Sequence, residues 1–164
     1  MALDPRDIDI LKVLLREGRI SKTQLADRVN LSPTPCWNRL RKMEESRVIE
    51  GYSARLDLRR IAPHTSVFVV AELTDHMAQS FARFEQAIRE VDEVTGCWAL
   101  GGGYDYLLQV MCRDVDGFQR LMDALLERDI GLKRYYSYIV TKAVKGDGPP
   151  PLDVLLGEGF QGDS

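Results

Sequence analysis

Residues 32–45 read Ser32-Pro33-Thr34-Pro35-Cys36-Trp37-Asn38-Arg39-Leu40-Arg41-Lys42-Met43-Glu44-Glu45. A serine before a proline is typical of a helix start, because serine caps free N–H groups and proline fits the first turn. Three apolar residues recur at helical spacing and are expected to face a core, namely Cys36, Leu40 and Met43. The opposite face is polar and cationic and carries Thr34, Trp37, Asn38, Arg41 and Lys42. The stretch therefore predicts an amphipathic helix whose outer face can donate hydrogen bonds.

Two shorter helices are predicted upstream. The first starts at Asp4-Pro5, ends at Gly18 and has a periodic apolar set, Ile8, Leu11, Leu14 and Leu15. The second opens with a capping box of Ser21 and Gln24, and its apolar face is Leu25, Ala26 and Val29. Asn30 fits the position after its last turn. Two short helices joined by a turn, the second with a cationic face, are typical of a helix-turn-helix whose second helix lies in the DNA major groove.

The outer face of the third helix suits recognition of bases and phosphates. Arg41 can reach O6 and N7 of guanine, Asn38 can pair with adenine, and Thr34 can contact a thymine methyl group or a phosphate. Phosphate contacts are expected from a second set, Arg39, Lys42 and Arg47, with Ser32 at the helix start. Trp37 has three alternatives: packing on a wing, lying along the sugar-phosphate backbone, or contacting a base. The competing interpretation is a solvated face with an intrahelical Arg41–Glu45 pair.

Charge is divided unevenly along the 164 residues. Residues 1–60 hold 13 Lys and Arg against 9 Asp and Glu, a net of +4, and residues 61–164 hold 9 against 16, a net of −7. A basic part joined to an acidic part is typical of a nucleic-acid-binding module attached to a domain that does not bind nucleic acid. With 45% apolar and 29% charged residues, the composition suits one globular domain or two small ones.

The sequence argues against membrane, metal and cofactor sites. No apolar run approaches the roughly 20 residues that span a bilayer, and residues 1–7 carry charges where a signal peptide needs an apolar core, so we expect a cytoplasmic protein. The odd number of cysteines, without CxxC pairing, predicts three small buried hydrophobes, Cys36, Cys97 and Cys112. His64 and His76 lack metal-ligand spacing, so neither a metal nor a cofactor is expected.

The second half predicts six elements in the order β-α-β-β-α-β. Its strands are residues 67–73, 94–100, 106–112 and 135–144, and helical stripes run from Phe81 to Val91 and from Val115 to Leu125. This order predicts a ferredoxin-like sandwich, so the chain is α+β with a helix-turn-helix followed by that sandwich. Between the halves, residues 48–56 predict a strand and a candidate wing.

The carboxy-terminal tail is a separate segment in the sequence. Residues 146–151 are rich in Gly and Pro and predict an extended linker. A short apolar patch follows, made of Leu152, Val154, Leu155, Leu156 and Phe160. The tail either docks on another subunit or is poorly ordered, and the sequence leaves both alternatives open.

Several stretches, in this order and with these gaps, resemble a known family: residues 18–21, 31–36, 39–45 and 48–52. They look like the amino-terminal domain of the Lrp/AsnC family of bacterial and archaeal transcription regulators. The family's glycine turn stands here as Gly102-Gly103-Tyr104-Asp105-Tyr106. The resemblance covers about residues 3–145. It implies a winged helix-turn-helix at 1–52, a hinge at 53–63, an effector-binding and oligomerisation domain (RAM) at 64–145, and a tail at 146–164.

The resemblance implies a sequence-specific transcription regulator that binds double-stranded DNA and responds to an amino acid or a related metabolite. Homodimers that assemble into tetramers or octamers are implied too, and dimer symmetry predicts imperfectly palindromic sites. The implied effector pocket lies between dimers and contains Gly101, Gly102, Gly103, Tyr104, Asp105, Tyr135 and Ser137. Gly103 replaces the family's usual acidic or polar residue, and Tyr135 and Ser137 stand where Thr-x-Thr is frequent. A ligand unlike leucine in size or amino-group placement is therefore expected.

Three alternatives accompany this interpretation. The glycine run could serve only a hairpin that needs positive φ, or only a contact between dimers. A ferredoxin-like enzyme would need a catalytic constellation, yet Asp105 among aromatics has no evident partner, so no catalytic residue is assigned. An architectural DNA-binding protein would differ in its low ratio of specific to non-specific affinity.

Overall fold

The computed structural model describes residues 2–146 and 148–157, and it divides the chain into two compact units. The first unit runs up to Arg55 and also includes the segment from Lys145 onward, while the second runs from Leu56 to Val144. Among the described residues, no helix is long and apolar enough to cross a membrane. Phe160 of the apolar patch and the rest of residues 158–164 lie outside the described residues.

The first unit contains the three predicted helices, α1 (Pro5–Arg16), α2 (Lys22–Arg28) and α3 (Pro33–Glu45). The Ser21–Gln24 capping box is confirmed, and Asn30, at φ 52°, adopts the left-handed conformation after α2. The predicted inner faces of α2 and α3 are confirmed, since Leu25, Ala26, Val29, Cys36, Leu40 and Met43 are all buried. The apolar set of α1 needs one correction. Ile10 is fully buried, whereas Leu15 is exposed, because the core lies on the face of α1 that includes Ile10.

A buried carboxylate joins α1 to α3. Asp7 is 3% exposed, although aspartate is rarely buried without a partner. Asp7 Oδ2 accepts a hydrogen bond from the Asp4 N–H at 3.0 Å, and Asp4 Oδ1 accepts one from the Asp7 N–H at 3.0 Å. Asp7 Oδ1 also accepts a hydrogen bond from Arg39 Nη1 at 2.9 Å, and the same nitrogen bonds to Asp4 Oδ2. The capping box of α1 and its link to α3 therefore share two carboxylates.

The predicted strand at residues 48–56 is wrong for the described chain. These residues follow α3 without forming a helix or a strand. A strand needs a hydrogen-bonded neighbour, and every strand pair that the structure describes lies within residues 65–139. Tyr52 is held locally instead, because its hydroxyl donates to Glu44 Oε1 at 2.8 Å. Burial, together with this bond, raises the pKa of Tyr52 to about 12.

The second unit is the predicted ferredoxin-like sandwich. After a 3-10 turn (Leu58–Arg60) it comprises β1 (Thr65–Leu73), α4 (Ala78–Arg89), β2 (Val94–Ala99), β3 (Tyr106–Cys112), α5 (Val115–Glu127) and β4 (Leu132–Ile139). The strands form one antiparallel sheet in the order β2-β3-β1-β4. The predicted bounds of β4, 135–144, are wrong, because its pairing with β1 runs from Leu132 opposite Leu73 to Ile139 opposite Val67.

The two faces of the sheet differ. Apolar residues of α4 and α5 pack with one face in a single core, which includes Val69, Phe84, Leu108, Phe118 and Met122. The alternate residues of the strands point to the opposite face, and they include Phe68, Val70, Trp98, Leu107, Met111, Tyr136 and Tyr138. Trp98, Tyr136 and Tyr138 are exposed there. The chain therefore leaves one aromatic face of its sheet without a covering layer among its described residues.

The cysteine prediction holds at two of three positions. Cys36 and Cys112 are buried, as predicted, but Cys97 is exposed. Cys97 lies on β2, an edge strand that pairs with β3 alone among the described residues. A residue at that edge lies at the margin of the helical layer, so an apolar sequence context alone does not ensure burial. Partial desolvation nevertheless raises the thiol pKa at all three cysteines, and the negative charge of Glu85 adds to this effect at Cys97.

Substitution Asp7→Asn is expected to reduce the free energy of unfolding by about 1–3 kcal/mol, because an amide cannot replace a buried carboxylate that accepts from both Asp4 N–H and Arg39. Urea denaturation measures the change. Asp9→Asn is the matched control. Asp9 is about half exposed, and its ion pair with Arg6 is weak because the atoms are 3.9 Å apart. This variant is expected to lower the free energy of unfolding by less than about 0.5 kcal/mol. Equal effects of the two substitutions would contradict the assigned role of Asp7.

Candidate functional site

The predicted DNA-binding residues lie on and beside α3. Six of the eight are exposed, namely Ser32, Thr34, Asn38, Arg41, Lys42 and Arg47. The other two, Trp37 and Arg39, are half-buried. Because the inner positions Cys36, Leu40 and Met43 are in the core, the exposed residues of α3 form one outward face. This face is termed the α3 face below and consists of Thr34, Asn38, Arg41 and Lys42.

Arg41 has an intrahelical partner. Its Nε donates to Glu45 Oε1 at 2.7 Å, and the Arg41 side chain is 66% exposed. This is the pair expected of a solvated helix surface. An exposed i, i+4 pair contributes only about 0.3–0.5 kcal/mol, so a guanine or a phosphate can replace Glu45 at low cost. The pair therefore leaves Arg41 available to another partner at a small cost in free energy.

Trp37 packs within the helical unit. Its ring contacts the buried cluster of the three helices, and Lys22 Nζ lies 3.1 Å from the ring centroid. A cation over an indole face is attracted by the electron density of the ring. Packing on a wing is excluded in the described chain, where residues 48–56 form no strand. Trp37 therefore places a lysine of α2 next to the α3 face.

Arg39 is engaged by acidic side chains. The hydrogen bonds that Arg39 donates to the carboxylates of Asp4 and Asp7 raise the pKa of its guanidinium. Desolvation favours a higher pKa at Asp4, but bonds from Arg39 and from backbone N–H groups outweigh it and lower that pKa. A cleft of about 430 Å³ opens here between α1 and α3 and is lined by Ala2, Asp4, Asp7, Pro35, Asn38, Arg39 and Lys42. Arg39 therefore has a structural role beside the predicted contact with phosphate.

The two ends of α3 carry the remaining predicted contacts. Ser32 is at the N-cap position, as predicted, but its side chain makes no capping hydrogen bond. Arg47 lies just beyond the helix in the left-handed region, at φ 58°. Its N–H donates to Glu44 O at 3.1 Å, and the Ile49 N–H donates to Met43 O at 3.1 Å, which closes the end of the helix. The side chains of Ser32 and Arg47 are both exposed.

The glycine run is exposed and unstrained. Gly101, Gly102 and Gly103 follow β2, and none of them has a positive φ. A Cβ atom added at any of the three would meet nothing within 4 Å. The alternative that these glycines serve a hairpin requiring positive φ is therefore wrong. Neither backbone conformation nor crowding within the described chain explains three consecutive glycines.

Asp105 anchors the glycine turn to the end of β1. Its Oδ2 accepts the Leu73 N–H at 2.7 Å, its own N–H donates to Ala71 O at 2.9 Å, and its carbonyl accepts the Leu100 N–H at 2.8 Å. The second carboxylate oxygen, Oδ1, lies 3.1 Å from His76 Nε2. The Asp105 side chain is only 13% exposed. The turn therefore has a fixed base, while its glycines face open space.

The two predicted pocket residues on β4 differ in exposure. Tyr135 is half-buried against the core, and Ser137 is exposed. The side chain that contacts the glycine turn is the intervening Tyr136, whose ring lies 5.8 Å from that of Tyr104 in an edge-to-face arrangement. Sequence reasoning missed Tyr136 and His76. A period of two along β4 could have indicated Tyr136, but no local signal places His76 beside Asp105.

Comparisons with known proteins agree with this architecture. A family model for winged helix-turn-helix DNA-binding domains matches residues 3–50, and one for the Lrp/AsnC ligand-binding domain matches residues 66–150. The transcriptional regulatory protein DoeX of Halomonas elongata is 50% identical over 145 residues, covering 88% of this chain and 92% of that protein. The leucine-responsive regulatory protein of Escherichia coli is 35% identical over 143 residues, covering 87% of each.

A solved structure extends the similarity to three dimensions. The crystal structure of a transcriptional regulator from Neisseria meningitidis in complex with L-methionine matches with a TM-score of 0.87 and 32% sequence identity. The match covers 94% of this chain and 99% of that one. Both units of the present chain thus have counterparts in that regulator.

Substitution Gly102→Ala is expected to leave the free energy of unfolding unchanged or to raise it by about 0.4–1 kcal/mol, because alanine restricts the unfolded chain and meets nothing in the folded one. Gly131→Ala is the control. Gly131 has φ +82°, and an added Cβ would lie 3.1 Å from Arg83 Nη2, so this variant is expected to lose at least about 1 kcal/mol. Thermal unfolding of both variants tests this. A destabilised Gly102→Ala variant would show that the fold itself requires the glycine.

Proposed function

The chain belongs to the Lrp/AsnC family of transcription regulators, and from this premise we propose which of its residues read DNA and which bind the effector. As a member it is a DNA-binding regulator with a helix-turn-helix domain and a ligand-binding domain for a small molecule. The observation that carries the assignment to α3 is that its polar, cationic side chains are exposed together, while its apolar positions are buried.

For DNA, we assign base reading to the α3 face and positioning to its surroundings. Arg41 has two donors for guanine O6 and N7, Asn38 has an acceptor and a donor for adenine N6 and N7, and Thr34 can contact a thymine methyl group. Lys42 and Arg47, with Ser32 and the Thr34 N–H at the start of α3, are assigned to phosphates. Lys22, held over the Trp37 ring, adds a further charge beside this face.

Arg39 is assigned mainly to positioning. Nη1 is occupied by Asp4 and Asp7, and the side chain is one-third exposed. A phosphate contact through its remaining N–H groups is compatible with those bonds, because guanidinium carries five N–H donors. Its principal contribution is to orient α3 on α1, and through this orientation it sets the direction of the α3 face.

For the effector, we assign the open space at Gly101, Gly102 and Gly103, next to Tyr104 and Asp105. Exposed N–H groups without side chains suit a carboxylate, and the fixed Asp105 lies beside them. Ser137 and Tyr135 of β4 stay in the set by resemblance, and Tyr136 joins it through its contact with Tyr104. The structurally similar regulator from Neisseria meningitidis was crystallised with L-methionine, which supports an amino acid or a related metabolite as the ligand.

Assembly follows from the uncovered sheet face. A second copy of the chain is assigned to it, since large apolar patches on soluble proteins mark contacts, and Trp98, Tyr136 and Tyr138 are exposed there. Two such dimers would form the tetramer, and four would form the octamer, that the family resemblance implies. A symmetric dimer holds two α3 helices about one DNA turn apart, roughly 34 Å, and so selects imperfect palindromes.

The remaining assignments are negative or general. No catalytic residue, metal or cofactor is proposed, and among the described residues no cluster of three or more His, Cys, Asp and Glu could hold a metal ion. The protein is proposed to act in the cytoplasm, where bacterial DNA is found. An architectural protein remains the second candidate class, distinguished by its specific-to-non-specific affinity ratio.

Substitution Arg41→Ala is expected to cost about 1–3 kcal/mol at an operator and to relax the preference at one base position, because a bidentate contact to guanine is lost. Lys42→Ala is the matched control for charge. It is expected to weaken all DNA alike and to lower the slope of log affinity against log salt by about one. Fluorescence anisotropy on single-base operator variants measures both. Unchanged affinity of the Arg41 variant would contradict the proposal that α3 lies in the major groove.

Substitution Glu45→Gln is expected to raise operator affinity about twofold, because Arg41 is released from a competing partner worth about 0.3–0.5 kcal/mol. Glu50→Gln removes an equal charge from another exposed position of the same unit. Its smaller effect sets the baseline for a general loss of negative charge. If both variants bind DNA equally well, the Arg41–Glu45 pair does not limit binding.

The effector assignment is tested by thermal shift with each of the twenty L-amino acids as probes. At least one is expected to raise Tm for the native chain, and the same compound is expected to lose this effect in Gly102→Ala, whose Cβ enters the open space. Gly103→Asp is expected to change which amino acids bind, because it restores a carboxylate near the ligand. Retained binding by both variants would place the effector elsewhere.

A further inference from the structure

The carboxy-terminal segment occupies a defined surface of α1. Lys12 Nζ forms an ion pair with Asp153 Oδ1. Around this pair a cleft of about 190 Å³ is lined on one side by Lys12, Leu15 and Arg16 of α1, and on the other by residues 149–153. The described part of the segment is α6 (Leu152–Leu156) and the residues before it. Leu152 and Leu156 are half-buried, while Val154 and Leu155 remain exposed.

Such a short helix needs a support. Helix nucleation is unfavourable, and isolated helices of fewer than about 12 residues are marginal in water. α6 has five residues, and its first turn is closed by bonds from the Val154 and Leu155 N–H groups to Pro151 O at 3.0 and 3.1 Å. Leu152 and Asp153, spaced to face α1 together with Leu156, provide the support. The cationic Lys12 and Arg16 match the acidic Asp153.

The segment that contacts α1 follows the last strand of the second unit in the chain. The chain leaves the second unit after Val144, five residues beyond the end of β4, and rejoins the first unit from Lys145. Pro149, Pro150 and Pro151 then favour a stiff extended backbone rather than a flexible coil. The second unit is therefore connected to the first unit at both of its ends, through residues near Arg55 and through this segment.

We propose that residues 149–156 form a clasp on α1, whose docking surface is Lys12, Leu15 and Arg16. The clasp anchors the chain that leaves β4 to the DNA-binding unit. A unit connected at both ends has fewer accessible orientations than one connected by a single linker, so it loses less entropy when two units of a dimer bind adjacent half-sites. This last step rests on the dimer proposed above, whereas the docking itself does not.

Hydrogen–deuterium exchange on the full chain tests the docking, using variants in which the charges of Lys12 and Asp153 are reversed singly and together. In the native chain, the amides of residues 154–156 are expected to exchange more slowly than an unstructured peptide of the same sequence. Lys12→Glu and Asp153→Lys are each expected to accelerate their exchange about 1.4- to 5-fold, as for the loss of an exposed ion pair, and the double variant is expected to restore it. Both positions are on the surface, so neither variant should unfold the chain.

Three outcomes would overturn the docking. These are unprotected amides at residues 154–156 in the native chain, a double variant as fast as the single ones, and protection that depends on protein concentration. The last would assign the segment to a second copy of the chain. Each outcome is independent of effector and DNA, so the docking can fail while the proposed function stands.

The consequence for DNA is tested by anisotropy on a full palindrome and on a single half-site. Affinity of the singly substituted variants for the full palindrome is expected to fall relative to affinity for the half-site by about the same 1.4- to 5-fold factor. The ratio is expected to recover in the double variant, which has the native net charge. The two single variants change the net charge in opposite directions, so a general charge effect cannot lower both ratios. An unchanged ratio in both would show that the clasp does not preorganise the DNA-binding units.

Discussion

The bond between Arg39 and the carboxylates of Asp4 and Asp7 is the constraint on which the DNA-binding unit depends. Asp7 is buried, and a buried charge is tolerated only when it is paired and hydrogen-bonded. Here the pairing does two things at once: it caps the start of α1 and ties that end to the middle of α3. The link holds α3 against α1, while the exposure of Asn38 and Arg41 follows from the burial of Cys36, Leu40 and Met43 on the other side of the helix.

The second unit also uses an aspartate, which fixes the glycine turn. Asp105 fixes the glycine turn through the backbone of Leu73, Ala71 and Leu100, so the base of the turn is rigid. The glycines themselves are unconstrained by the fold, because they have ordinary φ values and open surroundings. A rigid base next to unfilled space is what a ligand or a neighbouring dimer requires. This is the basis for the proposal that the turn functions through contacts outside its own chain.

Much of the fold follows from local patterns, and the errors share a cause. The capping box at Ser21, the period of Cys36, Leu40 and Met43, and the β-α-β-β-α-β order are all local signals, and all are confirmed. Residues 48–56 and the bounds of β4 were mispredicted, because a strand exists only where a distant partner can pair with it. The exposure of Cys97 likewise depends on its place at the sheet edge.

For the candidate sites too, local patterns predicted the residues but not their long-range contacts. Periodicity identifies the residues of the α3 face, but it cannot show that Arg39 is bonded to carboxylates 32 and 35 residues away in the sequence. The residue types around the glycine turn were evident, whereas the contact of Tyr104 with Tyr136 and of Asp105 with His76 requires the folded sheet. Long-range pairing of polar side chains is the information that composition and spacing do not contain.

The central claim is that one chain couples specific DNA recognition to a small-molecule effector. Fluorescence anisotropy of the purified protein, on the DNA upstream of its own gene and on scrambled DNA, with and without each amino acid, tests it most directly. The account predicts tighter binding to the upstream DNA and a shift in that affinity with at least one compound. Equal, salt-sensitive binding to both DNAs, with no response to any compound, would contradict it and favour an architectural protein.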